Sequence, residues 1–306
     1  MLQFVLFDLG ENLPIGTTFL LQQLTKEQIP FFIFPTEQAD TTSLIEQKLQ
    51  YLFFLSDKQQ LQPKDCLLIT VCPTLALMAK NEGFVSFGYC DAGSSVRFPS
   101  IPLVLEGLEE VELSFLKREF AHALHEPAYI CETNRCDIKE LPLSDIPTLY
   151  EMLQQEATLR NETIPFLLEP LGTLSEELEK HEAYIRYVYP FSYYGVWGIY
   201  EKETGQLIGR IGITERMLHN QPEYVLEYFI HSSYRRCGYA SKCINTVLHY
   251  AKELETDTIC VCIHKQNTAS LNVLSHCIFQ YEAIQTEQDD ILCFRIYLNA
   301  KQSIPI

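Results

Sequence analysis

Through residues 1–130, short apolar runs alternate with stretches of helical period. Residues 4–7 are apolar at every position, a helical pattern follows over 17–27, and 31–34 form a second run bounded by Pro30 and Pro35. A helix over 42–52, the run 66–71, a helix over 75–81 and a strand over 85–89 continue the series. Gly83 stands where a helix C-cap belongs. Strands apolar on both faces and separated by helices predict a parallel sheet covered on both sides. Residues 103–130 run from acidic to basic and predict a helix and a tether into the second half.

From residue 133 the period changes. A short alternating strand over 138–141 leads to Ser144, a good N-cap residue, with Pro147 in the first turn and Ile146, Leu149 and Leu153 as the apolar stripe. Thr173 and Glu176 form a capping-box pattern for a helix through Leu178 and Tyr184. Two alternating strands joined by a turn at 203–205 read as a hairpin. A strand over 225–230, a tight segment of small and basic residues, and a helix over 241–254 come next. A strand over 259–264, a helix over 270–277 and a last strand over 291–298 complete the chain. This order predicts a mixed, mostly antiparallel sheet with one long helix after its central strand. The fold class is α/β in two domains, residues 1–132 and 133–306, which suits a length of 306 residues, about twice that of a common domain.

Composition narrows the function. Apolar residues make up 47% and charged residues 21%, an ordinary globular balance. The net charge is −17 with no basic run, which excludes nucleic-acid binding through the phosphate backbone and tilts towards cationic substrates. Eleven cysteines form no CxxC pair, and no four-ligand spacing of a metal site is present, so no metal is expected. Reduced, mostly buried thiols are the simpler reading, with Cys260 and Cys262 on one face of a strand. The opening MLQFVLFDLG lacks a basic region, Asp8 interrupts its apolar run, and no stretch approaches the roughly 20 apolar residues of a membrane span. A cytoplasmic protein without a membrane partner is therefore expected; the oligomeric state is not legible.

The most specific segment is EYFIHSSYRRCGYASKCINTVLHYA: a strand, a small-and-basic loop and a helix start. Such a loop points successive backbone N–H groups at an anion. It resembles motif A of the Gcn5-related N-acetyltransferases, the GNAT superfamily, whose signature is Q/R-x-x-G-x-G/A; Arg235, Gly238 and Ala240 fill the fixed positions. Downstream, HKQNTASLNVLSHCIF resembles the N-x-x-S-x-x-V-L segment of the ribosomal-protein and amino-sugar acetylating branch, through Asn267, Ser270, Val273, Leu274 and Phe279. The hairpin with Trp197, Gly205 and Gly209 is similar to that branch's second and third strands, so the resemblance covers about residues 136–298.

The resemblance implies a GNAT fold and transfer of an acetyl group from acetyl-CoA to a primary amine by direct attack. Pantetheine would bond to strand backbone at Phe229, Ile230 and His231, and the amides of Arg236, Cys237, Gly238, Tyr239, Ala240 and Ser241 would hold the pyrophosphate beside Arg235. His276 matches a base near the 3′-phosphate or is a helix-surface histidine. Asn267 would orient pantetheine or a water. Some members use a tyrosine on the last helix to protonate the departing thiolate; Leu274 occupies that position, and Ser270 either bonds to the sulfur instead or is a first-turn helix serine. For the amine, Glu227, with Glu223 on the same strand face, is the candidate base or amine-orienting group, raised by desolvation beside an apolar slot. Otherwise it pairs with a base such as Arg210. The aromatics Tyr184, Tyr187, Tyr189, Phe191, Tyr193 and Tyr194 either wall an acceptor site or pack between helix and sheet. The acceptor is a small molecule or a protein N-terminus.

The first half is similar to the haloacid dehalogenase (HAD) phosphohydrolases in the framing of FVLFDLGEN, LTKEQIPFFIFPTEQ and DCLLITVCPTLALMAKNEGFVSFGY. Asp8 matches that family's nucleophile, but Gly10 replaces the second Asp, and Thr70, Val71 and Cys72 replace the Gly-Asp-Ser of its metal site. A degenerate HAD-like, Rossmannoid domain without phosphatase activity is expected, with Asp8 tied to nearby backbone amides. A reading from another class makes the chain a non-catalytic CoA-binding or regulatory module with a pseudo-phosphatase domain.

Overall fold

The computed structural model of the chain describes residues 1–10, 13–35, 42–159, 171–189, 192, 194–218, 220–253, 256–284 and 290–299. The chain divides into two compact units, Met1–Ala128 and Tyr129–Ile306.

In the first unit, β1 (Phe4–Asp8), β3 (Cys66–Thr70) and β4 (Val85–Cys90) are buried along their whole length. With β2 (Phe31–Ile33) and β5 (Val104–Glu106) they form a sheet in the order β2-β1-β3-β4-β5, every neighbour parallel. Alternate side chains turn to opposite faces. Val5, Phe7, Leu67, Ile69 and Phe87 pack with α1 (Thr17–Lys26) and α4 (Leu113–Ala123), while Phe4, Leu6, Cys66 and Leu68 pack with α2 (Thr42–Lys58) and α3 (Pro73–Asn81). Both faces carry helices, which is why these strands read as unbroken apolar runs. The stretch expected to be only a helix and a tether also contains β5, in which Leu105 alone is buried; one buried residue in three leaves no alternation to read.

The second unit is built on an eight-stranded sheet in the order β12-β13-β11-β10-β9-β8-β7-β6. Its strands are β6 (Tyr129–Glu132), β7 (Cys136–Glu140), β8 (Val196–Glu201), β9 (Leu207–Leu218), β10 (Gln221–Ile230), β11 (Thr258–His264), β12 (Gln280–Ile284) and β13 (Ile291–Tyr297). Every neighbouring pair is antiparallel except β10 and β11. The unit boundary lies at 128/129, ahead of the expected 132/133, because Tyr129–Glu132 pairs with β7. β6 and β12 carry few buried side chains, so neither left an apolar pattern in the sequence.

Two helix layers cover this sheet. Helices α5 (Ile146–Leu159) and α6 (Leu174–Tyr187) pack Ile146, Leu149, Leu153, Leu174 and Leu178 against Leu141, Leu207 and Phe229. On the other face α7 (Tyr239–Glu253) and α8 (Thr268–Leu274) pack Val247, Leu248, Leu271 and Leu274 around Trp197, Ile211, Leu226 and Ile296. The expected capping box is present at α6, where Thr173 accepts from the Glu176 amide and the Glu176 carboxylate accepts from the Thr173 amide. Ser144 does not cap α5 as expected: residues 143–145 form a 3-10 turn, and the Ser144 hydroxyl donates to Asp145. Asp145 in turn accepts from the Tyr200 hydroxyl at 2.7 Å, fixing the start of α5 to β8.

All eleven cysteines are unbridged, and seven of them are buried. Burial pushes the Cys66 thiol up to about 12, out of the reactive range. Among the described residues no helix is long and apolar enough to cross a membrane.

Candidate active site

The defining feature of the second unit is a fork in its sheet. β10 follows β9 through ten paired positions, from Gln221↔Leu218 to Ile230↔Gly209, but meets β11 only at Val225↔Cys260. Beyond Val225 the two parallel strands diverge. The register decides which backbone groups face the opening. The His231 amide donates to the Ile208 carbonyl at 2.9 Å, and alternation along an antiparallel ladder turns Phe229 towards β9 in the same way. The amides of Tyr228 and Ile230 therefore face the fork. Of the three residues named for the pantetheine arm, Ile230 turns its amide to the fork, while the amides of Phe229 and His231 face β9. The Ile230 carbonyl accepts from Arg235 Nε at 2.9 Å, which leaves its amide as the inward group. Close pairing on the β9 side depends on Gly209, where a Cβ would lie 2.1 Å from the Phe229 carbonyl oxygen.

The fork opens into a cleft of about 1070 Å³, lined by the end of β10, the 234–242 segment and the first turns of α8. At its base Arg236 and Gly238 both adopt left-handed backbone, with φ of 60° and 78°. Alternation of this kind turns consecutive amides to one side, and the unpaired amides at the start of α7 add to them. The loop is braced from behind. Arg135 donates to the Cys237 carbonyl at 2.6 Å and lies 4.0 Å from the Tyr239 ring centroid. The Tyr239 hydroxyl donates to Glu201 at 2.7 Å, and that carboxylate pushes the phenol up to about 12. Tyr239 thus serves the cleft through its amide, while its side chain ties the loop to β8. Arg236 and Lys242 bring cations to the lining of an otherwise acidic protein, and Ala240 and Ser241 line it from the first turn of α7.

Arg235 also lines the cleft, but its guanidinium is committed to a carboxylate. Its guanidinium forms a fork on Glu156 of α5, with Nη1 at 2.8 Å from Oε1 and Nη2 at 2.7 Å from Oε2, and the Glu156 side chain is only 3% exposed. The basic residue of the expected motif is therefore a strut between α5 and the end of β10. Removing it takes two charge-assisted hydrogen bonds from a buried carboxylate, so Arg235→Ala should cost about 2 kcal/mol. Thermal unfolding of the second unit checks this, and adding Glu156→Gln to the same chain should return part of the loss.

On α8, Asn267 Oδ1 accepts the Ser270 amide at 3.2 Å, so Asn267 caps the helix in the cleft wall. His276 lies exposed at the rim, its Nδ1–H donating to the Asn272 carbonyl at 2.7 Å. Leu274, at the position where a tyrosine was considered, is buried in the core. The Ser270 hydroxyl faces a residue that sequence reading passed over. Tyr228, on the diverging part of β10, lines the cleft, and its hydroxyl is buried beside Ser270. Burial pushes this phenol up, while a hydrogen bond with the Ser270 side chain and the charge of Arg235 act the other way. An alternating strand gave no sign of it, because Tyr228 falls on the face that reads as core.

Glu227 occupies the opposite face of β10 and is absent from the cleft lining. Two guanidiniums surround it rather than the apolar slot expected: Arg216 Nη2 lies 3.0 Å from Oε1 and Arg210 Nη2 3.8 Å from Oε2. On the same face Glu223 pairs with Arg295 at 2.5 Å and accepts weakly from the Cys260 thiol. The fork thus separates a cleft lined by Arg236, Lys242 and the start of α7 from a face of paired charges. Of the aromatic cluster, Tyr184, Tyr189 and Tyr194 pack into the core, Tyr189 accepting from Trp197 Nε1 at 3.3 Å, while Tyr187 is exposed. Phe191 and Tyr193 lie outside the described residues.

In the first unit Asp8 and Thr70 end β1 and β3, adjacent strands that run outward to helices on both faces, the place where open parallel sheets hold ligands. Asp8 is tied to side chains rather than to backbone amides: Lys48 Nζ lies 2.9 Å from Oδ1, and the Thr70 hydroxyl donates to Oδ2 at 2.6 Å. Thr70 also accepts from the Cys72 amide, at the start of α3. A hollow of about 440 Å³ opens nearby, lined by Leu9, Val71, Tyr89 and Asp91 among others.

Residues 135–280 match the family described as "Acetyltransferase (GNAT) domain". Among solved structures, the chain is similar to a GNAT-family acetyltransferase from Bacillus anthracis, at 15% identity over 56% of this chain and 99% of that one, with a TM-score of 0.45. It is also similar to an acetyltransferase from Salmonella typhimurium that modifies the N-terminal serine of ribosomal protein L7/L12, at 15% identity over 55% and 96% of the two chains, with a TM-score of 0.44. A ribosomal-protein-S5-alanine acetyltransferase from Vibrio fischeri matches at 14% identity over 55% and 96%, with a TM-score of 0.43. The family match spans the fork, the αL cradle and α8 together, and the second unit accordingly carries a GNAT acetyltransferase domain, the domain of acetyl-CoA-dependent N-acetyltransferases.

Proposed function

We propose that the protein transfers the acetyl group of acetyl-CoA to a primary amine by direct attack, with no covalent enzyme intermediate. The observation that carries this reading is the fork between β10 and β11 opening directly onto the Arg236–Gly238 cradle. An anionic group with a long peptide-like arm meets both complements there: converging amides for the pyrophosphate, and the Tyr228 and Ile230 edge of β10 for the amides of the arm. Arg236 and Lys242 neutralise the phosphates, and His276 stands at the rim near the 3′-phosphate. Asn267 holds the α8 wall.

The amine approaches from the α5–α6 face, where Glu227 orients the ammonium and takes its proton. Glu227 Oε2, at 3.8 Å from Arg210, is the less tightly paired oxygen and the one an ammonium meets. A face of paired arginines and glutamates suits an acceptor that carries its own charge, either a small cationic amine or a protein N-terminus. The first unit acts as a HAD-like scaffold without phosphate release: Asp8 is held by Lys48 and Thr70, and Gly10 stands in place of the partner acid. The whole is read as a cytoplasmic enzyme.

Calorimetric titration with acetyl-CoA tests the core of this reading. Micromolar binding is expected, followed by amine-dependent release of free thiol when amines are screened. Absence of binding at millimolar acetyl-CoA overturns it.

A further inference from the structure

We propose that Cys262 and Cys293 form a redox modification site, a cross-strand dithiol that peroxide closes to a disulfide. The two residues stand directly opposite each other on the antiparallel strands β11 and β13. The ends of the ladder show which kind of pair they make. The Lys265 amide donates to the Asp290 carbonyl and the Leu298 amide to the Asp257 carbonyl, both at 2.9 Å. Bonded and non-bonded pairs alternate along such a ladder, so the odd-numbered residues of β11 are the bonded positions and Cys262 with Cys293 is a non-bonded pair. In a pair of that kind the Cα atoms come to about 4.5 Å, inside the range of about 4.4–6.8 Å that a disulfide spans. The side chains do meet, the Cys262 thiol sharing a hydrogen bond with Cys293. Cys260, on the same face, has Arg295 opposite it and donates to Glu223, so it has no sulfur to join across the ladder. Cys136 and Cys243 also touch, but both are closed off in the core, whereas Cys262 is half-buried and gives a small dissolved oxidant a way in.

The chemistry needs one hydrogen peroxide. One sulfur attacks the O–O bond, a sulfenic acid forms on it, and the first water leaves. The second sulfur attacks the sulfenic sulfur, the S–S bond forms, and the displaced hydroxide takes the thiol proton as the second water. Two sulfurs are oxidised and both peroxide oxygens are reduced. The hydrogen bond to Cys293 and burial push the Cys262 thiol up, so this is a slow site that answers to sustained peroxide rather than to a brief pulse. Its place in the sheet is specific. Two residues beyond the Val225↔Cys260 pairing, Glu227 and Cys262 stand on one face on either side of the fork. Cys262 is not among the residues that line the cleft, so the bridge ties β11 to β13 on the face of paired charges. The site does not depend on the acetyl-transfer reading.

The test holds the folded full chain with hydrogen peroxide, quenches with catalase, alkylates the remaining thiols under denaturing conditions, and digests with trypsin. Cys262 then lies in the peptide 253–265 and Cys293 in the peptide 266–295. The bridge joins these two at a mass two hydrogens below their sum. Fragmentation assigns the bond to Cys262 and Cys293 rather than to Cys260 or Cys277, which lie in the same peptides. Most chains should carry the linked peptide, and dithiothreitol should return both thiols. Cys262→Ser, at the half-buried position, should abolish the link, while Cys260→Ser should keep it. Three results overturn the proposal: a bond on any other pair, a link that persists in Cys262→Ser, or both thiols still alkylated after the exposed Cys237 has been oxidised.

Discussion

Gly238→Trp is expected to lower the affinity for acetyl-CoA by more than about a hundredfold while leaving a folded protein. Two effects act together. At φ 78° a residue with a Cβ bears roughly 1–2 kcal/mol of backbone strain. Beyond that, a Cβ at this position meets only Arg135 Nη2, at 3.9 Å, so an indole is not driven into the core. It meets instead the Arg135 side chain that braces the loop, so the substitution disturbs the shape of the amide cradle in which the phosphates are to lie. Gly238→Ala separates the two contributions, because it carries the strain with almost none of the bulk, and its loss should be nearer tenfold. Titration calorimetry reads the affinities, and thermal unfolding of both variants checks the fold. Binding of acetyl-CoA to Gly238→Trp at the affinity of the unaltered protein would place the cosubstrate elsewhere.

How far this site could be read beforehand differed from residue to residue. The loop was legible because it needs residue types that few other places need: a glycine at positive φ, small residues at a helix start, and no apolar period to confuse them. The parallel strands of the first unit were legible for a different reason, since burial on both faces writes an unbroken apolar run. Where the reading failed, the information lay across the sheet instead of along the chain. Arg235 looked like a phosphate ligand until α5 brought Glu156 against it, a partner 79 residues away in sequence. Phe229 and His231 looked suited to bind the pantetheine arm until the register with β9 turned their amides away. Tyr228 drew no attention because period two places it on the core face, and only the divergence of β11 brings it to the lining of a cleft. Short edge strands such as β12, with little buried surface, leave no pattern in any reading.

Glu227→Gln separates the two faces of β10 and should lower kcat by about a hundredfold or more while leaving the acetyl-CoA affinity within about twofold. The asymmetry follows from strand period: Tyr228 and the cleft lie on one face, and Glu227 with Arg210 and Arg216 on the other. Glutamine keeps the shape and the hydrogen-bonding reach but gives up the charge, so the two half-buried arginines lose a counter-ion. A modest drop in melting temperature is therefore expected from the same change. The pH profile distinguishes lost proton transfer from lost structure. Without a base, only amine already free of its proton reacts, so the rate of the variant should climb about tenfold per pH unit up to the pKa of the acceptor, near 8 for an α-amine and near 10 for a lysine-like one. The unaltered protein should level off at lower pH, because Glu227 removes the proton once the ammonium is bound. Parallel profiles that differ only by a constant factor would make Glu227 a structural partner of Arg210 and Arg216, and would leave proton removal to water on the α5–α6 face.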